Sequence, residues 1–195
     1  MAADALTVLV AYVLGTLPFA QAIGRRFGHD PTVEGSGNPG ASNVFRTAGR
    51  RAGAAVLLGD LLKGAVAAGL GSVVGGRAVA VSCGLAAVAG HVFPLTRRFQ
   101  GGKGVATTGG VVVVLFPLQA LVAISAWLVV AAITRLASLA SIVAVVVLVG
   151  CIALTGAPTH ELAAVVALGV LVLARHRGNI VRLARGVERP ITNTT

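Results

Sequence analysis

Long apolar runs separated by short, glycine-rich polar segments make up most of this chain. A helix needs about 20 apolar residues to cross the hydrocarbon core of a bilayer. The predicted spans cover roughly residues 5–24, 53–74, 78–96, 104–116, 118–134, 137–155 and 160–174. Residues 104–134 are too many for one span and too few for two ideal ones, so Pro117 is expected to divide them. The pattern predicts an all-α, polytopic membrane helix bundle of about seven transmembrane helices.

The composition agrees with a membrane protein. Of 195 residues, 56% are hydrophobic and 11% are charged, which leaves too little polar surface to cover a water-soluble globule. The net charge of +10 could indicate nucleic-acid binding, but such a protein carries its basic residues on a soluble module with stacking or groove-reading elements. No such module is visible, so no nucleic-acid partner is expected. Cys83 and Cys151 lie inside apolar runs and are interpreted as small buried hydrophobes.

The basic residues fall almost entirely on one side of the predicted bundle. That side would hold Arg25, Arg26, Arg46, Arg50, Arg51, Arg97, Arg98, Lys103, Arg135, Arg175, Arg177, Arg182, Arg185 and Arg189. Arg77 lies opposite, in a tight turn with Gly75 and Gly76. By the positive-inside rule the basic side is cytoplasmic, which puts the N-terminus outside and the C-terminus inside. The first run is interpreted as a retained helix, because a signal peptide would carry its basic residues before the apolar run and not after it.

The longest polar stretch, residues 25–51, is rich in groups that bind anions or hydroxyls. These are Ser36, Asn38, Ser42, Asn43 and Arg46. Its glycines at 35, 37 and 40, with Asp60 beyond, match a dinucleotide fingerprint by spacing. That fingerprint requires a preceding strand within a βαβ unit, and a membrane span follows here instead, so it is rejected. Turn chemistry alone is the alternative explanation for the short polar side chains.

A second polar segment, Gly101 to Thr107, is a glycine-rich turn with one cation, Lys103. Glycines leave successive backbone N–H groups accessible to an anion, and the lysine adds a full charge. A helix that begins after the turn would direct its N-terminal dipole at the same anion. The sequence therefore predicts a phosphate site, with a simple interhelical turn as the alternative.

Asp60 and Lys63 lie inside the second predicted span. A charge at the centre of a span costs about 2.5–3.5 kcal/mol on insertion scales, so such residues usually face the bundle interior. Three residues apart, the two share a helix face and can pair, either as a structural lock or with a direct role. His91, just before the Pro94 that ends the third span, is expected to be a hydrogen-bonded helix-end histidine or to touch the site.

A third polar segment, Arg175 to Leu183, follows the last predicted span. His176 and Asn179 would share a face if it is helical. Its arginines would either reach anions or anchor the chain at the membrane surface. All three polar segments are expected at the cytoplasmic face.

Together the segments resemble the bacterial acyl-phosphate:glycerol-3-phosphate acyltransferases of the PlsY type, over nearly the whole chain. The likeness rests on SGNPGASNVFRTAG at Ser36–Gly49, Asp60 with Lys63-Gly64, GHVFP and FQGGKGVAT within Gly90–Thr107, and HRGNIVRL followed by Gly186-Val187-Glu188. Two departures are mild: Ser42 stands where the family often has threonine, and Gly178 stands where it often has a polar residue.

The resemblance implies transfer of a fatty acyl group from acyl phosphate to the 1-hydroxyl of glycerol 3-phosphate. The products would be lysophosphatidic acid and phosphate, in the first step of phospholipid synthesis, with no cofactor, metal or acyl-CoA. Residues 1–195 would form a single integral-membrane domain in the bacterial cytoplasmic (inner) membrane, with the active site on the cytoplasmic side. Membrane lipid is an expected partner, and a further expected contact is with a soluble enzyme that produces acyl phosphate.

The resemblance also implies roles for individual residues. The expected catalytic residues are His176, Asn179, Lys103 and Ser36. The expected substrate-binding residues are Ser36, Asn38, Asn43, Arg46, Gly102, Lys103, Gly104, Thr107, Arg182 and Glu188, with Asp60, Lys63 and His91 as possible support. Lys103 and the amides from Gly102 to Thr107 would bind phosphate, Ser36 and Arg46 would hold glycerol 3-phosphate, and Asn38 and Asn43 would shape their loop.

His176 and Asn179 would orient the attacking hydroxyl or polarise the acyl carbonyl, while Glu188 would organise nearby arginines. Either His176 or a substrate phosphate oxygen would take the hydroxyl proton. Ser36 is not expected to be a covalent nucleophile, because no strand, elbow and helix surround it.

Three other classes fit less well. A secondary transporter would use intramembrane charges, but it should bind near the midplane between detectable repeats, and none pairs these motifs. A purely structural membrane protein would not explain three converging polar segments. The CDP-alcohol phosphotransferases carry a paired-aspartate metal motif, whereas Asp60 is the one aspartate inside a predicted span.

Overall fold

The computed structural model describes residues 1–191, and every regular element in that range is helical, which confirms the all-α prediction. The helices are α1 (Ala2–Gly15), α2 (Phe19–Arg26), α3 (Ala41–Thr47), α4 (Gly49–Val92), α5 (Val105–Leu115), α6 (Pro117–Thr134), α7 (Ala137–Leu154), α8 (Thr159–Arg175) and α9 (Arg177–Ala184), with a 3-10 turn at Leu95–Arg97. They form two compact units, Met1–Leu115 and the chain from Phe116 onward.

By length and composition alone, four segments within the described chain can cross a membrane. These are Ala2–Arg26, Gly49–Arg97, Pro117–Thr134 and Ala137–Leu154. Helices α8 and α9, which meet at a 59° bend, make a fifth candidate if they count as one span. The count of seven predicted spans therefore remains a prediction.

Helix α4 is a hairpin of two limbs. It contains 44 residues, about 66 Å if straight, or twice the thickness of a bilayer core. Gly75 and Gly76 have non-helical dihedral angles, and Gly76 has a φ of 69°, which favours glycine. A Cβ built on Gly71 would lie 2.6 Å from the Cα of Ala80, although nine residues of straight helix would separate them by about 13 Å. The turn predicted at Gly75–Arg77 is therefore confirmed.

Small residues let α1 pack closely on α4. A Cβ on Gly90 would collide with the carbonyl oxygen of Tyr12, so only glycine permits this approach. A core cluster beside this contact contains Ala11, Ala67, Cys83 and Ala87, all at most 1% exposed. Cys83 is thus a small buried hydrophobe, as predicted.

The first predicted span is not one continuous helix. α1 ends at Gly15 and α2 begins at Phe19, with Pro18 between them. Proline has no N–H to donate and disfavours helical backbone in the residue before it, Leu17. The break releases main-chain carbonyls inside an apolar segment, and cationic side chains capture them, as described below.

The polar stretch after α2 contains the unpredicted helix α3. One side of α3 packs on the start of α4, where Val44, Ala52 and Val56 are fully buried together with Ala20 of α2. α3 therefore anchors residues 27–40, called the polar loop below, to the helical core of the first unit.

In the second unit, the helix bounds follow the predicted spans closely. Pro117 occupies the first turn of α6, as the division of residues 104–134 required. The indole N–H of Trp127 on α6 donates to the Ser141 hydroxyl on α7 at 3.1 Å. Gly169 of α8 leaves room for Val145 and Val149 of α7, so α6, α7 and α8 pack in sequence.

Candidate active site

Asn43, on α3, ties the polar loop together. Its side-chain oxygen accepts the N–H of Ser36 at 2.9 Å, and its amide nitrogen donates to the carbonyls of Pro31 and Glu34, each at 3.0 Å. The side chain is 1% exposed. Asn43 therefore shapes the backbone that carries Ser36, and any effect it has on substrate passes through that backbone.

Ser36 and Asn38 lie at the tip of the same loop. Ser36 is exposed, and its hydroxyl oxygen lies 3.4 Å from the N–H of Asn38. Gly35 and Gly37 on either side of Ser36 have φ values of 62° and 69°, a left-handed conformation that favours glycine. Arg46 is half-buried on α3. The structure thus places these predicted residues on one loop and its adjoining helix.

Two carboxylates that the sequence reasoning missed brace the start of this loop. Asp30 accepts hydrogen bonds from the hydroxyl and N–H of Thr32, at 2.5 and 2.9 Å, and from Arg25 at 2.9 Å. These bonds, those from Thr32 first, lower the pKa of Asp30 to about 2. Glu34 accepts the Asp30 N–H at 2.8 Å and lies 2.7 Å from Nδ1 of His29.

The His29 contact, followed by the bond from the Asp30 amide, lowers the pKa of Glu34. Both carboxylates are therefore anionic at neutral pH and hold the loop through hydrogen bonds to the charged form. Their spacing around a proline, DPTVE in the sequence, is the one signal that could have indicated such a turn.

The glycine-rich turn closes onto the end of α4. The N–H groups of Gly101 and Gly102 donate to the carbonyls of Val92 and His91, at 3.1 and 3.2 Å. This corrects the expectation that the Gly102 amide faces phosphate, because that N–H completes the C-terminus of a helix. The role of glycine at 102 is close packing, since a Cβ there would collide with the His91 ring.

The later part of the turn leads directly into α5. Gly104 has a φ of 84°, and the first donor of the helical ladder is the Thr108 N–H, which bonds the Gly104 carbonyl at 2.8 Å. The N–H groups of Val105, Ala106 and Thr107 therefore have no partner within the helix. The Thr107 hydroxyl is buried and has no hydrogen-bond partner among the described residues.

The loop and the turn lie side by side. The carbonyl oxygen of Pro39 is 3.1 Å from the position of a Cβ on Gly102. Lys103, which follows directly, is half-buried. Two of the three polar segments predicted to converge are thus adjacent within the first unit.

A buried ion pair lies next to His91, the residue against which the turn packs. Asp60 and Lys63 on α4 are 3% and 4% exposed, and Oδ1 of Asp60 lies 2.8 Å from Nζ of Lys63. The predicted pairing is confirmed. Nδ1 of His91 lies 3.5 Å from the same carboxylate oxygen, an electrostatic contact too long for a firm hydrogen bond.

Lys63 and Arg97 capture the carbonyls released where α1 breaks. Lys63 donates to the Leu17 carbonyl at 3.2 Å, and Arg97 donates to the Thr16 carbonyl at 3.3 Å and to the Gln21 side chain at 2.8 Å. The charge pattern assigned Arg97 to a cytoplasmic loop, but it is half-buried. Gln21, a polar residue inside an apolar run, was the available signal for such a partner.

The third polar segment belongs to the second unit. His176 lies at the bend between α8 and α9 and is 2% exposed. Its Nδ1 lies 2.8 Å from the Val172 carbonyl oxygen. Because a carbonyl only accepts, Nδ1 carries a proton, and in the neutral ring the basic lone pair is on Nε2.

Glu188 bridges two predicted site residues. One of its oxygens accepts from the Asn179 amide at 2.7 Å, and the other accepts from Nε of Arg182 at 2.8 Å. This agrees with the expectation that Glu188 organises a nearby arginine. The bridge fixes the carboxamide of Asn179 one helical turn after His176.

Comparison with known proteins gives one consistent result. A family model described as "Glycerol-3-phosphate acyltransferase" matches residues 5–186. Proteins named glycerol-3-phosphate acyltransferase from Myxococcus xanthus and Rubrobacter xylanophilus are 44% and 43% identical to the chain. The alignments cover 93% and 95% of this chain and 96% and 94% of those proteins.

Two solved structures have the same fold. Both are crystal structures of PlsY (YgiH), an integral membrane glycerol 3-phosphate acyltransferase, one in a glycerol 3-phosphate form and one in a lysophosphatidic acid form. Their TM-scores are 0.92 and 0.89, at 38% and 37% identity, over 96% of this chain and 94% of theirs. The chain therefore belongs to the PlsY-type family of integral-membrane glycerol-3-phosphate acyltransferases.

Proposed function

We propose that this chain transfers a fatty acyl group from acyl phosphate to the 1-hydroxyl of glycerol 3-phosphate, giving lysophosphatidic acid and inorganic phosphate. One observation carries the proposal. The chain is similar over 96% of its length to an enzyme solved in both a glycerol 3-phosphate form and a lysophosphatidic acid form. Those molecules are the acceptor and the product of a single acyl transfer, which opens phospholipid synthesis.

The choice of acyl phosphate as donor rests on the three motif segments and on chemistry. Acyl phosphate is a mixed anhydride with a good leaving group, so it needs no prior activation by the protein. The glycerol hydroxyl oxygen bonds to the acyl carbon, the bond from that carbon to the phosphate oxygen breaks, and phosphate leaves with the bonding electrons. Positioning of the two substrates and stabilisation of charge suffice for this step, without a covalent enzyme intermediate.

The first unit supplies the phosphate contacts in this proposal. Lys103 and Arg46 bind phosphate oxygens by charge-assisted hydrogen bonds, and Ser36 holds glycerol 3-phosphate at the tip of its loop. The amides of Val105 to Thr107 add the dipole of the α5 N-terminus. The contact between Pro39 and Gly102 supports this arrangement, because it puts the loop beside the turn.

In this proposal, His176 and Asn179 act on the hydroxyl and the carbonyl. The bond from Nδ1 of His176 to Val172 sets the tautomer in which Nε2 can accept a proton. Asn179, held by Glu188, orients the hydroxyl or polarises the acyl carbonyl, and Arg182 contributes a phosphate contact. The proton goes to His176 or to a phosphate oxygen of the substrate, and the two acceptors give different pH profiles.

The test is an assay of purified protein with synthetic acyl phosphate and labelled glycerol 3-phosphate, beside a parallel reaction with acyl-CoA. Lysophosphatidic acid formed from acyl phosphate alone is the expected result. Activity with acyl-CoA alone would overturn the donor assignment but keep the acceptor. Uptake of solute into proteoliposomes without acyl transfer would instead indicate a transporter.

We also propose seven transmembrane segments, with the N-terminus outside and the active site at the cytoplasmic face of the bacterial inner membrane. The two limbs of the α4 hairpin count as separate segments, which adds one to the five candidates, and the short α5 adds another. The one-sided distribution of arginine supports the orientation. Because mixed anhydrides hydrolyse in water, the proposal includes delivery of acyl phosphate from the lipid phase or from a soluble enzyme that produces it.

A further inference from the structure

His91 holds the glycine-rich turn by its main chain. It is the second-last residue of α4, and the last carbonyls of any helix lack partners within that helix. Gly102 donates its N–H to the His91 carbonyl at 3.2 Å, and Gly101 donates to Val92 at 3.1 Å. The turn thus serves as the C-terminal cap of α4.

The His91 side chain packs against the same turn. Of the atoms around Gly102, Nε2 of His91 is nearest to the position that a Cβ would take, and the Pro39 carbonyl lies nearby at 3.1 Å from that position. Gly102 therefore has the imidazole ring and the polar loop as close neighbours. The ring is 6% exposed and so has little room to move.

One ring nitrogen of His91 faces the buried ion pair. Nδ1 of His91 lies 3.5 Å from the Asp60 carboxylate, and Lys63 holds that carboxylate at 2.8 Å. All three side chains are at least nine-tenths buried. A chain of contacts therefore runs from the ion pair, through the imidazole ring, to Gly102 and its neighbour Lys103.

We propose that His91 is a positioning residue for the acyl transfer. Its ring and carbonyl fix Gly102 beside the polar loop, and this sets where the Lys103 ammonium meets phosphate. His91 contacts no substrate and acts through Lys103. The role rests on the proposed function, since it assumes that Lys103 binds a substrate phosphate.

Kinetics of His91→Ala, Lys103→Ala and the double variant test the inference. A misplaced ammonium should lower kcat/KM for glycerol 3-phosphate on the order of 10- to 100-fold. In the Lys103→Ala background, the same His91 change should cost less than about threefold, because two residues that act through one contact are not additive. Val81→Ala, a buried change about 15 Å along the helix, is the control and should leave kcat/KM near the parent value. Additive losses, or parent kinetics for His91→Ala, would overturn the inference.

A second readout does not depend on activity. Lys103→Cys, in a background with Cys83→Ala and Cys151→Ala, reports the exposure of the turn through its rate of maleimide labelling without substrate. Adding His91→Ala should raise that rate about fivefold or more, because the turn loses its support. Adding Val81→Ala should change it less than about twofold. An unchanged rate with His91→Ala contradicts the inference even if the protein proves to catalyse another reaction.

A pair of polar variants covers the case in which His91→Ala fails to fold. The amide of His91→Gln reaches the place of Nε2, whereas that of His91→Asn reaches only the place of Nδ1, next to Asp60. We expect the glutamine variant to keep slow labelling and most activity, and the asparagine variant to lose both. Equal behaviour of the two would show that the ring does not position the turn.

Discussion

At the scale of single residues, Asn43 supports the site through hydrogen bonds to the main chain of the polar loop. Asn43 uses its oxygen and both amide hydrogens to hold Ser36, Pro31 and Glu34. A carboxamide suits this task, because it donates and accepts within one small planar group. The loop that carries the proposed glycerol 3-phosphate contact therefore depends on a residue that is itself 1% exposed.

Asn43→Ala should open this loop. Three hydrogen bonds of about 1 kcal/mol each are lost, together with the partners left unsatisfied. Because α3 and α4 stay packed through Val44, we expect the loss to appear locally, as faster proteolysis within residues 30–40 and lower activity. Ser42→Ala, its neighbour on the same helix, is the control and should leave the rate of proteolysis unchanged. A loop equally resistant in both variants would contradict this role.

The loop should also loosen in acid. The pKa of Asp30 in the folded loop is about 2, below its usual 3.8, and that of Glu34 is lowered too. A lowered folded-state pKa stabilises the loop above the usual pKa, and the stabilisation is lost as pH falls through the folded value. The anisotropy of a fluorophore at Val33→Cys should therefore drop between about pH 4 and pH 2. In Asp30→Asn much of that drop should already be present at pH 7, and an identical profile in both proteins would exclude Asp30 as the cause.

At the scale of elements, glycine sets how closely helices approach. The two limbs of α4 meet where a Cβ on Gly71 would lie 2.6 Å from Ala80, whereas a Cβ on Gly69 meets nothing within 4 Å. The two glycines are half a turn apart on the same limb. The same substitution at Gly69 and at Gly71 changes helix propensity equally, but only the change at Gly71 disturbs the packing of the two limbs.

Gly71→Leu should destabilise the first unit by about 1–3 kcal/mol or prevent its folding, because the limbs must separate to admit the side chain. Gly69→Leu adds the same side chain facing away and should leave the melting temperature nearly unchanged. Thermal melts in detergent, with gel filtration to detect misfolding, measure both. Equal melting temperatures would mean that the limbs do not rely on this contact.

Elements of this kind were predictable where the signal is local. Proline and glycine interrupt helices by their own backbone chemistry. The helices are interrupted at Pro117 and at the glycine pair 75 and 76. Pro18 also interrupts a helix, but the uniformly high hydropathy of residues 5–24 predicted one continuous span. Hydropathy averages over a window, so it detects an apolar segment without detecting its continuity.

Contacts distant in sequence were not predictable. Arg97 bonds the Thr16 carbonyl across 81 residues, and no local pattern distinguishes it from Arg98, which is exposed. The Gly102 amide was assigned to phosphate because glycine next to lysine suggests an anion site. In the structure this amide donates to the His91 carbonyl, a contact that depends on where α4 ends. The Asp60–Lys63 pair was predictable, since its spacing of three is local.

At the scale of the whole molecule, orientation follows from charge. A reporter fused at the C-terminus should be cytoplasmic, and one inserted at Gly76, in the turn of the α4 hairpin, should be external. Paired phosphatase and fluorescent-protein fusions at both positions measure this. Both positions on one side of the membrane would contradict the seven-span arrangement.

The proposed reaction makes separate predictions for His176 and for the two phosphate-binding cations, Arg46 and Lys103. His176→Ala should lower kcat more than it changes KM, because its contact strengthens in the transition state. Arg46→Ala and Lys103→Ala should each cost about 1.5–3 kcal/mol in binding of phosphate-bearing substrate, and the pair should not add. Steady-state kinetics in lipid cubic phase, with melts as a folding control, measure all of these. Strict additivity together with parental turnover of His176→Ala would separate the segments into independent elements.

The break between α1 and α2 also has a consequence for biogenesis. The Thr16 carbonyl there accepts from Arg97, whereas the Leu17 carbonyl accepts from Lys63 and also from the Phe19 N–H at 3.1 Å. An unsatisfied carbonyl in hydrocarbon costs several kcal/mol. The ribosome makes the first span well before it makes those cations. Until residue 97 has emerged, the Thr16 carbonyl lacks its Arg97 partner, and we expect the nascent N-terminal segment to remain beside the translocon. Crosslinking of stalled chains should show contact with the translocon up to that length, followed by release.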